Sequence, residues 1–341
     1  MTVELEHQPS EGSRSSRERR HRSQAPWVLA LLIVLAALIR LTDPSSLPWL
    51  RNLLIVFGSL LVEAMPFILL GAGVSAAIEV LVPTSAFARI ALLPRGLQLP
   101  VAAIAGVAFP VCECGSVPVA RRLAAKGLAP SAAVTFMLAA PIMNPVVVAS
   151  TFIAYRGRDS VWIMVLGRLA LGFLVAMTVG RVMGRVRSGE LLRMRLGEAE
   201  TVEIGDTESR RRRFFGHLAG DAVFMARFLI VGAALAAAIQ TFVPRSIVDS
   251  VASLPVLSLI AMMTLAFVMS LCSESDAFVA ASFTAFGPSA QLAFLVFGPM
   301  VDLKLAALYI GTFQPGFLRA VIVAAGATTL VSTLWIQVMV G

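Results

Sequence analysis

The sequence predicts an all-α polytopic membrane protein, built from two internal repeats inverted in the bilayer, with helices broken or re-entrant at Pro and Gly. Three observations carry that prediction. The 341 residues are 58% hydrophobic and 14% charged, against about 25% charged in a soluble domain. Several apolar runs reach the ~20 residues that a membrane-spanning helix needs. The two halves also align with each other over their most unusual positions.

Taken in order, residues 1–25 are polar, Ser/Arg-rich and expected to be disordered. Five arginines lie between Arg14 and Arg22. The apolar run 27–41 has no small-x-small cleavage site after it, so 26–49 is read as an uncleaved anchor. A long helix over 52–82 is expected to be interrupted at Glu63 and Pro66. Its Gly71, Gly73, Ser75 and Ala76 offer small residues for close helix contact. The run 97–109 is short and stops at Pro110, and 115–126 is too short and too basic to span. Residues 131–154 span with interruptions at Pro141, Asn144 and Pro145, and 161–183 span with a GxxxG at Gly180–Gly184. Residues 184–217 form a charged linker between the first repeat (50–183) and the second (218–341). A span at 220–243 follows, then an apolar run at 254–271 up to Cys272, a segment at 289–310 holding Pro299, Asp302 and Lys304, and a last segment at 315–340.

PFILLGAGVSAAIEVLVP (66–83) matches RFLIVGAALAAAIQTFVP (227–244) at a constant offset of 161, pairing Gly71 with Gly232. Cys112 pairs with Cys272, APSA (129–132) with GPSA (287–290), Pro141 with Pro299 and Asn144 with Asp302. Composition aligns oily helices with one another; it does not align their prolines and cysteines. The arginine block at 14–22 and the eight arginines between Arg185 and Arg213 both mark the cytoplasmic side. An even number of crossings must separate them, yet five apolar segments do. The segment that fails to cross is best placed at 97–127, flanked by Arg89, Arg95, Arg121, Arg122 and Lys126. Entering from the cytoplasm and returning, it puts Cys112–Cys114 at its tip. Each repeat then has an odd number of crossings, and the halves are inverted, a layout found in secondary transporters.

The chemistry gathers at the breaks. Cys112-Glu113-Cys114 sets two soft sulfurs close together, and Cys272 can supply a third. Thiolates select soft centres such as Cu(I), Zn(II) or trivalent arsenic and antimony, although membrane cysteines are commonly packing residues. Glu113, Glu274, Asp276, Asp302 and Lys304 are ionisable residues near membrane depth, where they line pathways, relay protons or form structural ion pairs. Asn144, between prolines, suits a substrate or ion contact, or a local helix cap. Glu63 and Glu79 are weaker candidates, because Phe224 and Gln240 stand at the matched positions. Arg121, Arg122 and Lys126 read as interfacial anchors. There is no GxxxxGK[ST] for nucleotide phosphates, no HExxH or GxSxG, and no motif that calls for a cofactor or a resident metal. The basic tail reads as a topology signal beside membrane spans, with no nucleic-acid partner implied.

FPVCECGSVPVARRL, LAAPIMNPVV, SLCSESDAFVAASF and FGPMVDLK, in that order, resemble the predicted-permease family that includes the organoarsenical efflux permease ArsP. The resemblance covers about residues 50–340. It implies a multi-pass permease of the bacterial inner membrane, with a cytoplasmic N-terminus and a small-molecule or metalloid substrate; characterised relatives export trivalent organoarsenicals. Substrate binding is then expected at Cys112, Cys114, Cys272, Asn144 and Glu113, with coupling or gating at Glu274, Asp276, Asp302 and Lys304. Two alternatives stand beside it: a permease for another metal ion or metabolite whose cysteines only pack, and an intramembrane thiol oxidoreductase. C-x-C is not the usual C-x-x-C redox spacing.

Overall fold

The computed structural model describes residues 48–81, 94–108, 111–184, 210–242 and 254–340. The expected tail, the first anchor up to residue 47 and linker residues 185–209 lie outside the described residues. The chain divides into two units, Met1–Asn52 and Leu53–Gly341. Of the first, only residues 48–52 are described, as the opening of a helix.

The described chain is helical: α1 (Pro48–Leu81), α2 (Arg95–Ala108), α3 (Glu113–Ala125), α4 (Pro130–Met143), α5 (Pro145–Ala154), α6 (Val161–Met183), α7 (Arg210–Phe242), α8 (Pro255–Met269), α9 (Asp276–Ser282), α10 (Pro288–Phe297), α11 (Leu303–Thr312) and α12 (Phe317–Val340). The α4–α5 pair and the four long helices α1, α6, α7 and α12 are each long and apolar enough to cross a membrane. This is a multi-pass membrane protein. Two series run in the same order: a long helix, two shorter ones, a pair joined at a break, and a long one. The third helix differs most, with 13 residues in α3 and 7 in α9.

Two expected boundaries shift. Helix α1 runs without interruption through Pro66. A proline withholds one backbone donor, and membrane helices tolerate that loss where local adjustments and neighbours satisfy the freed carbonyl. Helix α7 begins at Arg210, so the last eight residues assigned to the linker (210–217) are helical.

Burial separates an inner from an outer layer. The most apolar window of α4–α5 is 72% buried, against 17% in α1, 33% in α7 and 22% in α12. Large apolar side chains on the outer helices stay uncovered, among them Val62, Val231, Val323 and Val338. A contiguous apolar surface of that kind faces lipid rather than water. At the centre, α4 is buried from Ala132 to Ile142 on every face. It packs against α2, α3 and α6, while α10 packs against α8, α12 and α6. The GxxxG reading is realised at α6, where a β-carbon on Gly180 would strike Thr135 and the Ser131 carbonyl of α4.

Each helix break has a local cause. Asn144 caps α5, its Oδ1 accepting from the Val146 N–H at 2.9 Å, with Pro145 at the first helical position. Asp302 caps α11 through the Leu305 N–H at 2.6 Å. Cys112 caps α3, its sulfur accepting from the Gly115 N–H at 3.4 Å. Helix α8 stops at Ser270, whose left-handed backbone (φ 50°, ψ 44°) ends the hydrogen-bond ladder.

Candidate functional site: a buried ion cluster at the helix breaks

The N-termini of α3 and α11 carry the side chains of the site, and the turn between α8 and α9 completes it. Two glycines allow the long helices to come close. A β-carbon on Gly71 of α1 would collide with the Gly115 backbone. One on Gly232 of α7 would sit 2.7 Å from Lys304 Cα and 3.0 Å from the Leu303 carbonyl oxygen. The two glycines matched in the sequence therefore seat α1 on the start of α3 and α7 on the start of α11.

Lys304 is the hub. Its ammonium lies 3.9 Å from Glu113 Oε1 and 3.9 Å from Asp302 Oδ2, and it donates to Cys272 Sγ at 3.8 Å. Glu113, Cys272, Asp302 and Lys304 are all fully buried. Glu113 Oε1 and Asp302 Oδ2 have no hydrogen-bond donor, so the ammonium is what balances them. The positive ends of the α3 and α11 dipoles, where the two acids sit, add to that balance. The other Glu113 oxygen accepts from the Ser273 hydroxyl at 2.9 Å and its N–H at 3.4 Å. The same hydroxyl lies 3.4 Å from Glu274 Oε2.

Asp276 has a different cation for its partner. Its Oδ2 pairs with the buried Arg168 of α6 at 2.7 Å. Arg168 also donates to Thr151 Oγ1 at 2.8 Å and to the Ser273 carbonyl at 3.1 Å. On the opposite flank, the Ser275 hydroxyl donates to Glu63 Oε1 at 2.6 Å. All three cysteines are free and buried. Among the described residues, no group of three or more His, Cys, Asp or Glu is arranged to hold a metal ion.

Of the expected site residues, then, Glu113, Cys272, Asp302 and Lys304 meet directly, and Glu274 joins through Ser273. Asp276 forms a neighbouring pair, and Asn144 is engaged in capping α5. Sequence reasoning passed over Arg168, although an arginine inside VWIMVLGRLALGFLVAM is an intramembrane charge by the same rule that singled out Asp302. Glu63 was ranked low because its repeat mate is apolar. Its true partner, Ser275, lies 212 positions away.

A second polar cluster ties the end of α3 to its neighbours. Arg122 pairs with Glu79 of α1 at 3.3 Å and Asp221 of α7 at 3.2 Å. Ser75 donates to Asp221 at 2.6 Å, and Lys126 donates to the Ile78 and Glu79 carbonyls at 2.9 and 3.0 Å. The C-terminal ends of α1 and α3 and the N-terminal part of α7 therefore lie together. The basic residues read as interfacial anchors are, for Arg122 and Lys126, ligands of neighbouring helices.

The sequence profile of a family described as "Predicted permease" matches residues 49–338. The chain belongs to this predicted-permease family. Within it, the chain is 37% identical over 284 residues to "UPF0718 protein YcgR" of Bacillus subtilis, covering 83% of this chain and 96% of that protein. It is 32% identical over 289 residues to a Streptococcus mutans protein named "Putative two-component membrane permease complex subunit", covering 83% and 94%. No solved structure matches the chain. The family match spans every residue that builds the ion cluster, from Glu63 of α1 to Lys304 of α11.

Proposed function

We propose that this permease is a secondary transporter of the bacterial inner membrane that exports a small thiol-reactive solute, with trivalent organoarsenicals as the substrate class. The observation that carries the reading is Cys272 Sγ, 3.8 Å from the fully buried Lys304 ammonium at a helix break. Soft electrophiles bind the thiolate, and the ammonium stands beside the sulfur that gives up its proton when such a solute binds. Cys112 and Cys114, on the helix that supplies Glu113, offer the further sulfurs. Glu274, Asp276, Asp302 and Lys304 would exchange protons or gate access as the substrate comes and goes, with Asn144 as a contact at the α4–α5 break.

The inverted arrangement of two repeats is part of the proposal. The matched order of helices supports it. The gathering of α1 and α3 ends with the α7 region that follows Arg210–Arg213 supports a cytoplasmic position for all three. That position makes α2–α3 a re-entrant pair and leaves the N-terminus cytoplasmic.

The test is expression in an arsenic-hypersensitive bacterial host, followed by transport in vesicles with and without a proton gradient. Resistance to trivalent methylarsenicals should rise, and Cys→Ser replacement at 112, 114 and 272 should remove it. Unchanged resistance in the triple variant refutes the thiol mechanism. One observation favours a second reading, a permease for another ion or metabolite with structural cysteines: Cys112 Sγ already serves as the cap of α3. On that reading a substrate panel finds transport that survives the triple replacement.

A further inference from the structure

The turn that carries Cys272 belongs to the second half of the chain, yet side chains of the first half hold it. The Cys272 carbonyl accepts from the Ser275 and Asp276 N–H groups at 3.0 Å each, which closes the turn locally. Outside those bonds, Glu113 of α3 receives both donors of Ser273, Glu63 of α1 receives the Ser275 hydroxyl, and Arg168 of α6 binds the Ser273 carbonyl and Asp276. Ser273 thus has its N–H and hydroxyl fixed by Glu113 and its carbonyl fixed by Arg168. Arg168 is itself anchored on Thr151 of α5 and is 2% exposed.

We infer that Arg168 is a positioning residue: its guanidinium fork sets the 272–276 turn and so fixes where the Cys272 sulfur stands beside Lys304 and Glu113. Three features separate this from simple charge balance. A single buried positive charge would satisfy Asp276, but the fork reaches three oxygens, two on the 272–276 turn and one on α5. Only one of the three is charged. The Ser273 carbonyl lies one residue from Cys272, so losing that contact loosens the turn next to the sulfur. A lysine at the same position cannot reproduce the geometry, because one ammonium lacks the planar fork. The assignment rests on Cys272 belonging to the site, but not on what the site transports.

The experiment measures cysteine alkylation in the purified full chain in lipid nanodiscs, with N-ethylmaleimide and peptide mass spectrometry. Cys112 and Cys114 report together and act as the internal reference for Cys272. In Arg168→Gln, the ratio of Cys272 labelling to Cys112/Cys114 labelling should rise at least on the order of tenfold, the factor that loss of the charge-assisted contact to Ser273 alone gives to a local opening equilibrium. A general loosening would raise both signals together and overturn the assignment. The decisive variant is Arg168→Gln with Asp276→Asn, which restores charge balance without restoring the contact to Ser273. A ratio that stays high supports positioning, and a return to the wild-type ratio shows that Arg168 only neutralises Asp276. Should Arg168→Gln fail to give a monodisperse protein, Arg168→Lys keeps the charge. A raised ratio there supports the inference and a wild-type ratio overturns it. Labelling reads the turn whether or not any arsenical is transported, so a failed transport assay and a failed positioning assignment remain distinct.

Discussion

Replacing Lys304 with methionine should be among the most damaging single changes in this protein. The side chain is fully buried and lies 3.9 Å from each of two buried carboxyl groups. At the effective dielectric constant of about 20 that suits buried sites, each such pair contributes about 4 kcal/mol of Coulomb attraction. Desolvation of the ammonium offsets much of this in the intact protein. Removing it leaves Glu113 Oε1 and Asp302 Oδ2 with neither a counter-ion nor a hydrogen-bond donor. Breaking one side of a buried pair costs about 3–5 kcal/mol. Because membrane proteins commonly unfold irreversibly, the measurement is the half-life of the folded state in nanodiscs at a fixed elevated temperature. Lys304→Met should shorten it at least tenfold. Lys304→Met combined with Glu113→Gln and Asp302→Asn should recover most of the loss, because a neutral buried set of similar volume is often as stable as the charged one. The asparagine keeps an oxygen for the Leu305 N–H. A single variant as long-lived as the wild type, or a triple variant no better than the single, would refute an ion cluster centred on Lys304.

Two further predictions follow from the packing. Gly71→Ala and Gly232→Ala each push a methyl group into backbone atoms, which no rotamer change relieves, and should destabilise by about 1–3 kcal/mol. Gly220→Ala, with open space at that position, should be neutral or gain about 0.5–1 kcal/mol from helix propensity; equal effects at all three positions in a thermal-inactivation assay would contradict the close approach. Arg122→Gln and Asp221→Asn should behave as a coupled pair, with the double-mutant cycle in denaturant or heat returning an interaction of about 0.5–3 kcal/mol. Strict additivity would dissociate Arg122 from α7.

Much of the site could be read from the sequence because its residues are local anomalies. A cysteine pair flanking an acid, an aspartate following a proline and a lysine two residues later stand out in an apolar chain, and three of those groups do meet. The helix breaks were legible for the same reason, since Asn-Pro and Pro-x-x-Asp carry their own capping chemistry. Partnership was not legible. Glu113 and Ser273 are separated by 160 positions, and Arg168 and Asp276 by 108, so nothing local links them. Arg168 was hidden by the length of the apolar run around it, which reads as an ordinary span. Pro66 misled in the opposite direction, because a proline in a membrane helix signals a break that the surrounding structure can absorb. The boundary at 217 moved to 210 because four consecutive arginines read as linker, whereas arginine is a good helix former.

The contacts at Gly71 and Gly232 have a mechanical consequence. Side chains can slide and repack, but a main chain resting directly on a main chain has nothing to rearrange. Helix α1 is therefore geared to the start of α3, and α7 to the start of α11. Any tilt of one of these lipid-facing helices against the other would pass, as through a lever, to the spacing of Glu113 and Lys304.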